Sequence, residues 1–381
     1  MDFRLSDEAE RLREDLGHFL DELLTEEVEA EIHRSGVSHH EGYVRGMIDH
    51  GWFAGSWSRE DGGAGLDPTA QMVVQEVTGR REAPLNASSV SVMVAKALKA
   101  HGTDQMRHEI VPSVLRGETI CVLGFTEPEC GSDVANAQTR AVRDGDHWVI
   151  NGSKMFTTNA HIGDYVYLLA RSNPDVAKHK GLTTFLVPLD DPGSEVQPGH
   201  TLSGERTNIV YLHDVRVPDG ARIGDVDGGW RVITSSLVDE QSASFAPWLI
   251  RLLEEVEAWA AETGRQHDPD VQERIGRARA EAEVALLLRR RCTWMDVEGI
   301  PRNVEGPMAK LFSSESLVRA AQDLFDLIGP DGARSFLDPS APRSGRVEYL
   351  MRFSLGTTIY AGTSEVQRTM IAQRGLGLPR S

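Results

Sequence analysis

Side chains that could bind a flat, amphipathic ligand are concentrated in the middle of the chain, within residues 123–159. Phe125 and Phe156 could cover the faces of a ring system, while Thr126 and Thr158 could hydrogen-bond its polar rim. A flavin has this shape. The alternative is that both phenylalanines belong to the core and that the polar residues form a surface turn, and composition alone favours this second interpretation.

The elements that must position these side chains read as antiparallel β-sheet. Strand-like runs at 139–142 and 147–150 are separated by the turn sequence 144–146, and Asn151-Gly152 predicts a type I′ hairpin before a third strand. Further strands are predicted at 165–170, 182–189 and 208–217. These edges end in hydroxyl-bearing residues, which suits the ligand described above.

Helical patterns flank this β-region on both sides. Ser6 is predicted to cap a first amphipathic helix, and a second helix is predicted over Pro68–Arg80, after a Gly-rich loop that no strand precedes and that therefore reads as a turn. From residue 229 onward, four or five helices are predicted to form a bundle, punctuated by Pro247, Asp268-Pro269 and 299–301. The fold class is therefore α+β.

Composition excludes some functions. The 381 residues carry a formal charge of −18 with a pI near 5.2, which argues against nucleic acid or an anionic membrane as the main partner. The three cysteines have no metal-ligand spacing and cannot all pair, and no apolar run approaches the ~18 residues of a membrane helix, so a soluble, cytoplasmic protein is expected. Cys130 lies in a turn over residues 126–133, here called the central turn, and is interpreted as a small turn residue rather than a nucleophile.

Seven segments in order resemble the acyl-CoA dehydrogenase family. The two signature segments read TEPECGSD and NGSKMFTTNA; the others include GWFAGSWSREDGGAG, HGTDQMRHEIVPSVLRGE, HKGLTTFLVPLD, LHDVRVP and IYAGTSEVQRTMIAQRGLGLPR. The resemblance implies an N-terminal helical domain (1–117), a central antiparallel β-domain (118–228) and a C-terminal helical bundle (229–381). It also implies FAD as cofactor and dehydrogenation of an acyl-CoA thioester to the 2-enoyl-CoA.

This reaction requires a base for the α-proton, a hydride acceptor and a donor to the thioester oxygen. In much of the family the base immediately precedes Gly-Thr in the last segment, where this chain has Ala361. In a second branch of the family the base lies on the first helix after the β-domain. The matching residue here is Glu240, and Asp239 is the alternative base. Glu240 also shares a predicted helical face with Trp230, Ile233, Leu237 and Ser244, although spacing alone favours a solvated or paired glutamate.

The resemblance assigns further contacts residue by residue. Phe125, Thr126, Phe156 and Thr158 match contacts to the isoalloxazine of FAD. Thr363 and Glu365 match contacts to its diphosphate and ribose region, where the charge of Glu365 favours the ribose. Ser132 matches a hydroxyl that meets the pantetheine of the substrate, and the backbone N–H of Ala361 matches a donor to the thioester oxygen. No metal site is expected.

Three departures from the family keep alternatives open. Gln241 replaces an arginine, Arg265 lies in a segment that lacks the family's Phe-Gly, and Asp326 stands where a glutamine contacts a neighbour's flavin. Such losses resemble actinobacterial heterotetramers with incomplete flavin sites, so a non-catalytic partner subunit is one alternative. An oxidase-like or biosynthetic thioester flavoenzyme is another. By resemblance, a homo- or hetero-tetramer and an electron-transfer flavoprotein as electron acceptor are expected, and the acyl group is not predicted.

Overall fold

The computed structural model describes residues 3–240 and 244–379, with the backbone alone for 237–240. The described helices are α1 (Asp7–Leu23), α2 (Glu26–Ser35), α3 (Glu41–Asp49), α4 (Pro68–Arg80), α5 (Asn86–His101), α6 (Val111–Leu115), α7 (Gly229–Glu240), α8 (Ala246–Glu262), α9 (Pro269–Val297), α10 (Glu305–Ile328), α11 (Arg346–Thr357) and α12 (Ser364–Met370). The described strands are β1 (Cys121–Gly124), β2 (Arg140–Asp144), β3 (His147–Lys154), β4 (Tyr165–Arg171), β5 (Leu182–Pro188), β6 (Ser194–His200), β7 (Arg206–Pro218) and β8 (Arg222–Ile223).

The N-terminal helices begin as the sequence predicts. The Ser6 hydroxyl accepts a hydrogen bond from the N–H of Ala9 at 3.2 Å, which caps α1. Leu16 and Leu20, one turn apart on α1, are fully buried against Tyr43 of α3 and Val73 of α4. The prediction for α4 matches its observed bounds, whereas α2 and α3 were not predicted.

The central sheet is mixed rather than purely antiparallel. Its strands follow the order β6-β7-β3-β2-β4-β5-β8, and β1 pairs with β4 in parallel. β6, which has few apolar residues, was not predicted. The face that carries Val166, Leu168 and Phe185 is fully buried, so the sheet has a core of its own beside the helical ones.

The hairpin predicted at Asn151-Gly152 is wrong, because β3 continues through both residues to Lys154. Opposite them, β7 contains one extra residue between its pairs with Ile150 and Gly152, and Asp214 in this bulge adopts a left-handed φ of 51°. Asn151 bonds Asp214 in both directions, through its Nδ2 to Oδ1 and through its Oδ1 from the Asp214 N–H, each at 2.9 Å. These bonds use the Asn side chain to fasten a bulge rather than to form a turn.

Six helices, α7 to α12, follow the sheet in the described part of the chain, against the four or five predicted. Pro247 does not kink the helix that carries Glu240, because it lies in the first turn of a separate helix, α8. Asp268 caps α9 by accepting the N–H of Asp270 at 3.1 Å. The bundle core is formed mainly by α8, α9, α10 and α11.

Ion pairs join the N-terminal helices to the bundle. Arg346 of α11 pairs with Glu29 of α2, and Arg80 of α4 pairs with Glu254 of α8. The loop between β6 and β7 also contacts both: Arg352 of α11 donates to the carbonyl of Leu202 at 2.8 Å, and the N–H of Arg206 donates to the carbonyl of Gly36 at 2.9 Å. Three parts of the chain therefore meet at this loop. Within the described ranges, no helix combines the length and apolarity needed to cross a membrane.

Candidate functional site

A buried ion pair holds the central turn against the sheet. The Nζ of Lys154, at the end of β3, donates to Oε1 of Glu127 at 2.7 Å, and both side chains are almost completely buried. Glu127 also accepts the N–H groups of Gln138 and Thr139 at 2.6 and 3.0 Å. Burial opposes ionisation of Glu127, but Lys154 and these donors outweigh it and lower its pKa. The carboxylate thus fastens both ends of the turn.

The sequence analysis did not identify this ion pair, although the alternation of residues along β3 could have indicated it. Trp148, Ile150 and Lys154 lie on the same face of β3 by the alternation of a strand, and the first two are core residues. A lysine on a core face needs a buried acidic partner. Glu127 is the acidic residue that the turn brings to it.

A backbone hydrogen bond joins the two segments that were predicted to contact a ring. The carbonyl of Thr126 accepts the N–H of Met155 at 2.9 Å, which joins the central turn to the end of β3. Phe156 follows with a left-handed φ of 57° and is 62% exposed. The exposed Thr158 lies next to it, with its hydroxyl 3.2 Å from that of Thr207 on β7. An exposed aromatic ring and an exposed threonine two residues along the chain suit a flat polar ring system.

Phe125 differs from Phe156, since it is half-buried and belongs to the core. Its ring packs edge-on against Tyr167 with the centroids 5.1 Å apart. Ser132 is exposed in the same turn. Cys130 is buried, and burial first, then the nearby Glu127 carboxylate, raises the pKa of its thiol. That environment suits a structural cysteine rather than a nucleophile.

Two side chains fix the loop between α11 and α12 by donating hydrogen bonds to its carbonyl groups. Ala361 has a left-handed φ of 55°, and its carbonyl accepts Nε2 of Gln367 at 2.9 Å. The neighbouring carbonyl of Gly362 accepts Nζ of the fully buried Lys310 at 2.7 Å. Among the described residues, the N–H of Ala361 has no acceptor. It is therefore available to a ligand oxygen.

Thr363 and Glu365 lie at the start of α12, beyond this loop. The Thr363 hydroxyl caps the helix by accepting the N–H of Val366 at 3.3 Å. Glu365 is exposed, and hydrogen bonds from its own N–H and from Thr363 lower its pKa, so it is negatively charged at neutral pH. The charge disfavours contact with a diphosphate and permits contact with a sugar hydroxyl.

Glu240 is the last residue of α7, and its side chain, like that of Asp239, lies outside the described residues, as does Gln241. Val232 and Ile233 earlier in the helix are fully buried, so α7 does present an apolar face to the core. Ser244 lies beyond the end of α7, so its predicted place on the same helical face is wrong.

Arg265 and Asp326, two of the departures from the family noted above, make ion pairs within the chain. Arg265 donates to Asp268 at 2.9 Å, and its guanidinium lies 5.2 Å from the centre of the Trp259 ring. Asp326 pairs with Arg274 at 3.1 Å, and Arg274 also contacts Asp323. Both ion pairs lie at the surface, where 38% of the Arg265 side chain and 78% of the Asp326 side chain is exposed.

Sequence comparisons identify the chain's relatives. Profiles described as acyl-CoA dehydrogenase N-terminal, middle and C-terminal domains match residues 6–118, 122–215 and 227–376. The acyl-CoA dehydrogenase FadE26 of Mycobacterium tuberculosis is 34% identical over 87% of this chain and 86% of its own length.

Solved structures agree with the sequence comparisons. The chain has a TM-score of 0.94 and 32% identity to the Tcur3481-Tcur3483 steroid ACAD, with full coverage of both chains. It has a TM-score of 0.89 and 32% identity to the ChsE4-ChsE5 complex from Mycobacterium tuberculosis, again with full coverage of both. The three-part α+β fold predicted from the sequence is thus confirmed. The chain belongs to the acyl-CoA dehydrogenase family, whose members are FAD-dependent oxidoreductases.

Proposed function

We propose that this chain dehydrogenates an acyl-CoA thioester across its α and β carbons, with Glu240 as the base. The observation that carries the proposal is the free N–H of Ala361. It keeps the donor that a thioester oxygen needs, although Ala361 has no carboxylate to remove a proton. Base and oxyanion donor would then come from different elements, α7 and the loop after α11.

The β-domain residues fit the isoalloxazine of FAD. Phe156 is exposed just after β3, and the hydroxyl of Thr158, two residues further on, lies 3.2 Å from that of Thr207. When bound, FAD supplies the acceptor for the hydride that leaves the β-carbon. The pair Glu127–Lys154 would keep the turn that carries Thr126 at a fixed height relative to Phe156, which orients the ring contacts.

The remaining chemistry belongs to residues of this chain. Glu240 would take the α-proton onto its carboxylate, leaving negative charge on the thioester oxygen. The Ala361 N–H would stabilise that charge, because its position is set by the Gln367 and Lys310 contacts to the adjacent carbonyls and needs no reorganisation. Ser132 would meet the pantetheine, and an electron-transfer flavoprotein would accept the electrons. The free cysteines support a cytoplasmic location.

An anaerobic titration tests this proposal. The purified protein is mixed with a panel of acyl-CoA esters, including steroid thioesters because one structural relative is named a steroid ACAD, while the visible flavin band is recorded. Addition of a substrate should bleach the flavin band of wild type and of Asp239→Asn. It should not bleach that of Glu240→Gln. Bleaching that survives Glu240→Gln would remove Glu240 as the base. Rapid return of the band in air would mark an oxidase instead.

A partner subunit of a heteromeric enzyme is the second candidate. It is favoured by the segment of Arg265, which lacks the family's Phe-Gly, and by Asp326, which replaces a glutamine; both side chains make ion pairs within the chain. Two of the similar solved structures are named as assemblies of two proteins. Under this proposal the chain purified alone contains little FAD, and co-expression with a second acyl-CoA dehydrogenase chain restores it. One FAD per chain in the isolated protein would contradict it.

A further inference from the structure

A cavity lined mainly by arginines lies between the start of the chain and the bundle. Its volume is about 390 Å³, and its lining residues come from the segment before α1, from α1 and from α9: Phe3, Arg4, Leu5, Glu10, Arg13 and Arg290. We call it the arginine cavity. Its volume is within the range of roughly 300–1,000 Å³ that small-molecule sites occupy. None of these residues was assigned to FAD or to acyl-CoA, so the cavity shares no residue with the candidate site.

The lining of the cavity carries more positive than negative charge. It contains three guanidinium groups, and Glu10 is the only carboxylate among its six residues. This excess is opposite in sign to the formal charge of −18 on the whole chain. Glu10 pairs with Arg13 at 2.9 Å, but 49% and 34% of these side chains is exposed, and exposed ion pairs are weak. A dianion in the cavity can therefore compete with Glu10 for Arg13.

Glu76 of α4 contacts two of these arginines without satisfying them. Its Oε1 lies 3.9 Å from Nε of Arg290, and its Oε2 lies 3.7 Å from Nη2 of Arg13. Both distances are too long for a hydrogen bond. Oε1 of Glu76 and Nε of Arg290 are buried atoms with no hydrogen-bond partner in the described part of the chain. Native folds leave few such atoms unpaired, so both call for an explanation.

Desolvation explains why Glu76 is a poor counter-ion for the cavity. Burial raises the pKa of its carboxyl and outweighs the opposite effects of Arg290, Arg13 and Arg289. A protonated Glu76 is neutral and leaves the positive charges of the lining unbalanced. The neighbouring Arg289 is bound elsewhere, since it donates to Oε1 of Gln75. An anion that enters the cavity would thus supply the charge that Glu76 does not.

Two apolar side chains make the cavity suitable for more than an inorganic ion. Phe3 and Leu5, on either side of Arg4 in the chain, line it and are partly buried. A ligand with an apolar group would cover them, whereas an inorganic anion would not. Both side chains lie on the segment that precedes α1, and Arg290 lies on α9, so such a ligand would contact both sides of the cavity.

The charge of the lining favours phosphate over carboxylate as the anionic group. Guanidinium groups bind phosphate through paired N–H donors. A phosphate monoester carries about two negative charges at neutral pH, whereas a carboxylate carries one. Three guanidiniums beside a single carboxylate match the dianion.

We propose that the arginine cavity binds a phosphate monoester with an apolar group, the phosphate on Arg13 and Arg290 and the apolar group on Phe3 and Leu5. Such a ligand would connect the start of the chain to α9 and so hold the N-terminal helices on the bundle. The site is independent of the proposed dehydrogenation, because it needs neither FAD nor a thioester.

Calorimetric titration of the purified chain with phenyl phosphate tests the inference. Phenol and inorganic phosphate, at matched ionic strength, probe the two parts of the ligand separately. Wild type should bind phenyl phosphate saturably and about threefold or more tightly than inorganic phosphate, and it should not bind phenol measurably. Arg290→Met should weaken the binding of phenyl phosphate by about tenfold. The control Arg291→Met removes the next arginine of α9, which pairs with Glu305 at 3.3 Å and does not line the cavity, and it should leave the Kd within about twofold.

Glu10→Gln provides a second test that does not depend on the folding of Arg290→Met. It removes the carboxylate that competes for Arg13, so it should bind phenyl phosphate about threefold more tightly, and its stability should change little because the pair is exposed. Any of four results would overturn the inference: no saturable binding of the ester to wild type, equal affinity for the ester and inorganic phosphate, equal weakening in Arg290→Met and Arg291→Met, or affinity that is unchanged or reduced in Glu10→Gln.

Discussion

The Nζ of Lys154 lies 2.7 Å from Oε1 of Glu127, and neither side chain is more than 4% exposed. Each charge depends on the other, because the sheet excludes water from both. The pair connects the end of β3 to the turn that was predicted to line the flavin. Loss of the pair should therefore affect both the stability of the fold and the contacts to FAD.

Removing one partner of this pair should be strongly destabilising. Lys154→Met leaves the Glu127 carboxylate buried without its cation, so the free energy of unfolding should fall by about 3–5 kcal/mol. The double variant Glu127→Gln with Lys154→Met should be more stable than Lys154→Met alone. Urea unfolding measures both. Lys178→Met, which breaks the exposed pair with Asp133, is the control and should cost about 1 kcal/mol or less.

His33 should make the protein sensitive to acid. Burial first, then Arg346 and Arg352, hold its folded pKa at about 4, below the usual 6.5. Between these values the unfolded chain binds a proton that the folded chain does not, so stability falls as the pH drops from about 7 to 4. The loss is at most about 3 kcal/mol, and less because the ring is partly accessible.

His33→Phe, which can still stack on Phe336, should remove that part of the pH dependence. Thermal or urea unfolding of both proteins between pH 7 and 4.5 measures it. Parallel stability curves for the two proteins over this range would show that the pKa of His33 is the same in the folded and the unfolded protein.

Glu82 should make the folded protein less stable as the pH rises, whereas His33 makes it less stable as the pH falls. Burial raises its folded pKa to about 7 from an ordinary 4.5. As the pH rises through this window the unfolded chain releases its proton first, so the stability contributed below pH 4.5 is lost by about pH 8. Glu82→Gln should therefore be more stable than wild type at pH 8.5, by at most about 3 kcal/mol, with no such gain at pH 4.5. Glu8→Gln on the exposed side of α1 should change stability by less than about 0.5 kcal/mol.

Gly152→Ala should test how closely β3 approaches Thr139, the residue before β2. At a φ of 152°, a Cβ on Gly152 would lie 2.6 Å from Oγ1 and 2.7 Å from Cα of Thr139, and the backbone atom cannot move aside easily. A loss of about 2 kcal/mol or more is expected in unfolding measurements. Gly145→Ala, at a φ of 63° in open space, isolates the conformational cost and should lose about 1 kcal/mol. Equal losses of stability in the two variants would mean that Thr139 shifts to make room for the new methyl group.

The sequence predicted helices that begin at a capping residue and strands that consist of a continuous apolar run. Ser6 and Asp268 accept the capping bonds that their residue types predict, and the bounds of α4 follow from Asp67-Pro68 at its start. The runs at 165–170 and 182–189 became β4 and β5 because continuous apolar residues suit strands buried on both faces. β6 was missed because only Val196 is a large apolar residue between 194 and 200.

Features that depend on distant residues could not be predicted. Asn151-Gly152 has the composition of a turn, but pairing with β2 and β7 and the bonds to Asp214, 63 residues away, keep it inside β3. The bonds from Arg352 to Leu202 and from Arg206 to Gly36 likewise join distant parts of the chain, and no periodicity links these residues. For the candidate site, the resemblance assigned Phe156, Thr158 and Ala361 to positions where the structure shows an exposed ring, an exposed hydroxyl and a free amide.

The bonds between Asn151 and Asp214 also bear on how the protein ages. Asn-Gly is the dipeptide most prone to deamidation, because the glycine amide nitrogen attacks the asparagine carboxamide to form a cyclic imide. In β3 that carboxamide is held on both its nitrogen and its oxygen by Asp214, and the extended strand keeps the two reacting groups apart. Deamidation at Asn151 should thus occur only when this edge of the sheet opens, so the isoaspartate content of a stored sample would record how often it does.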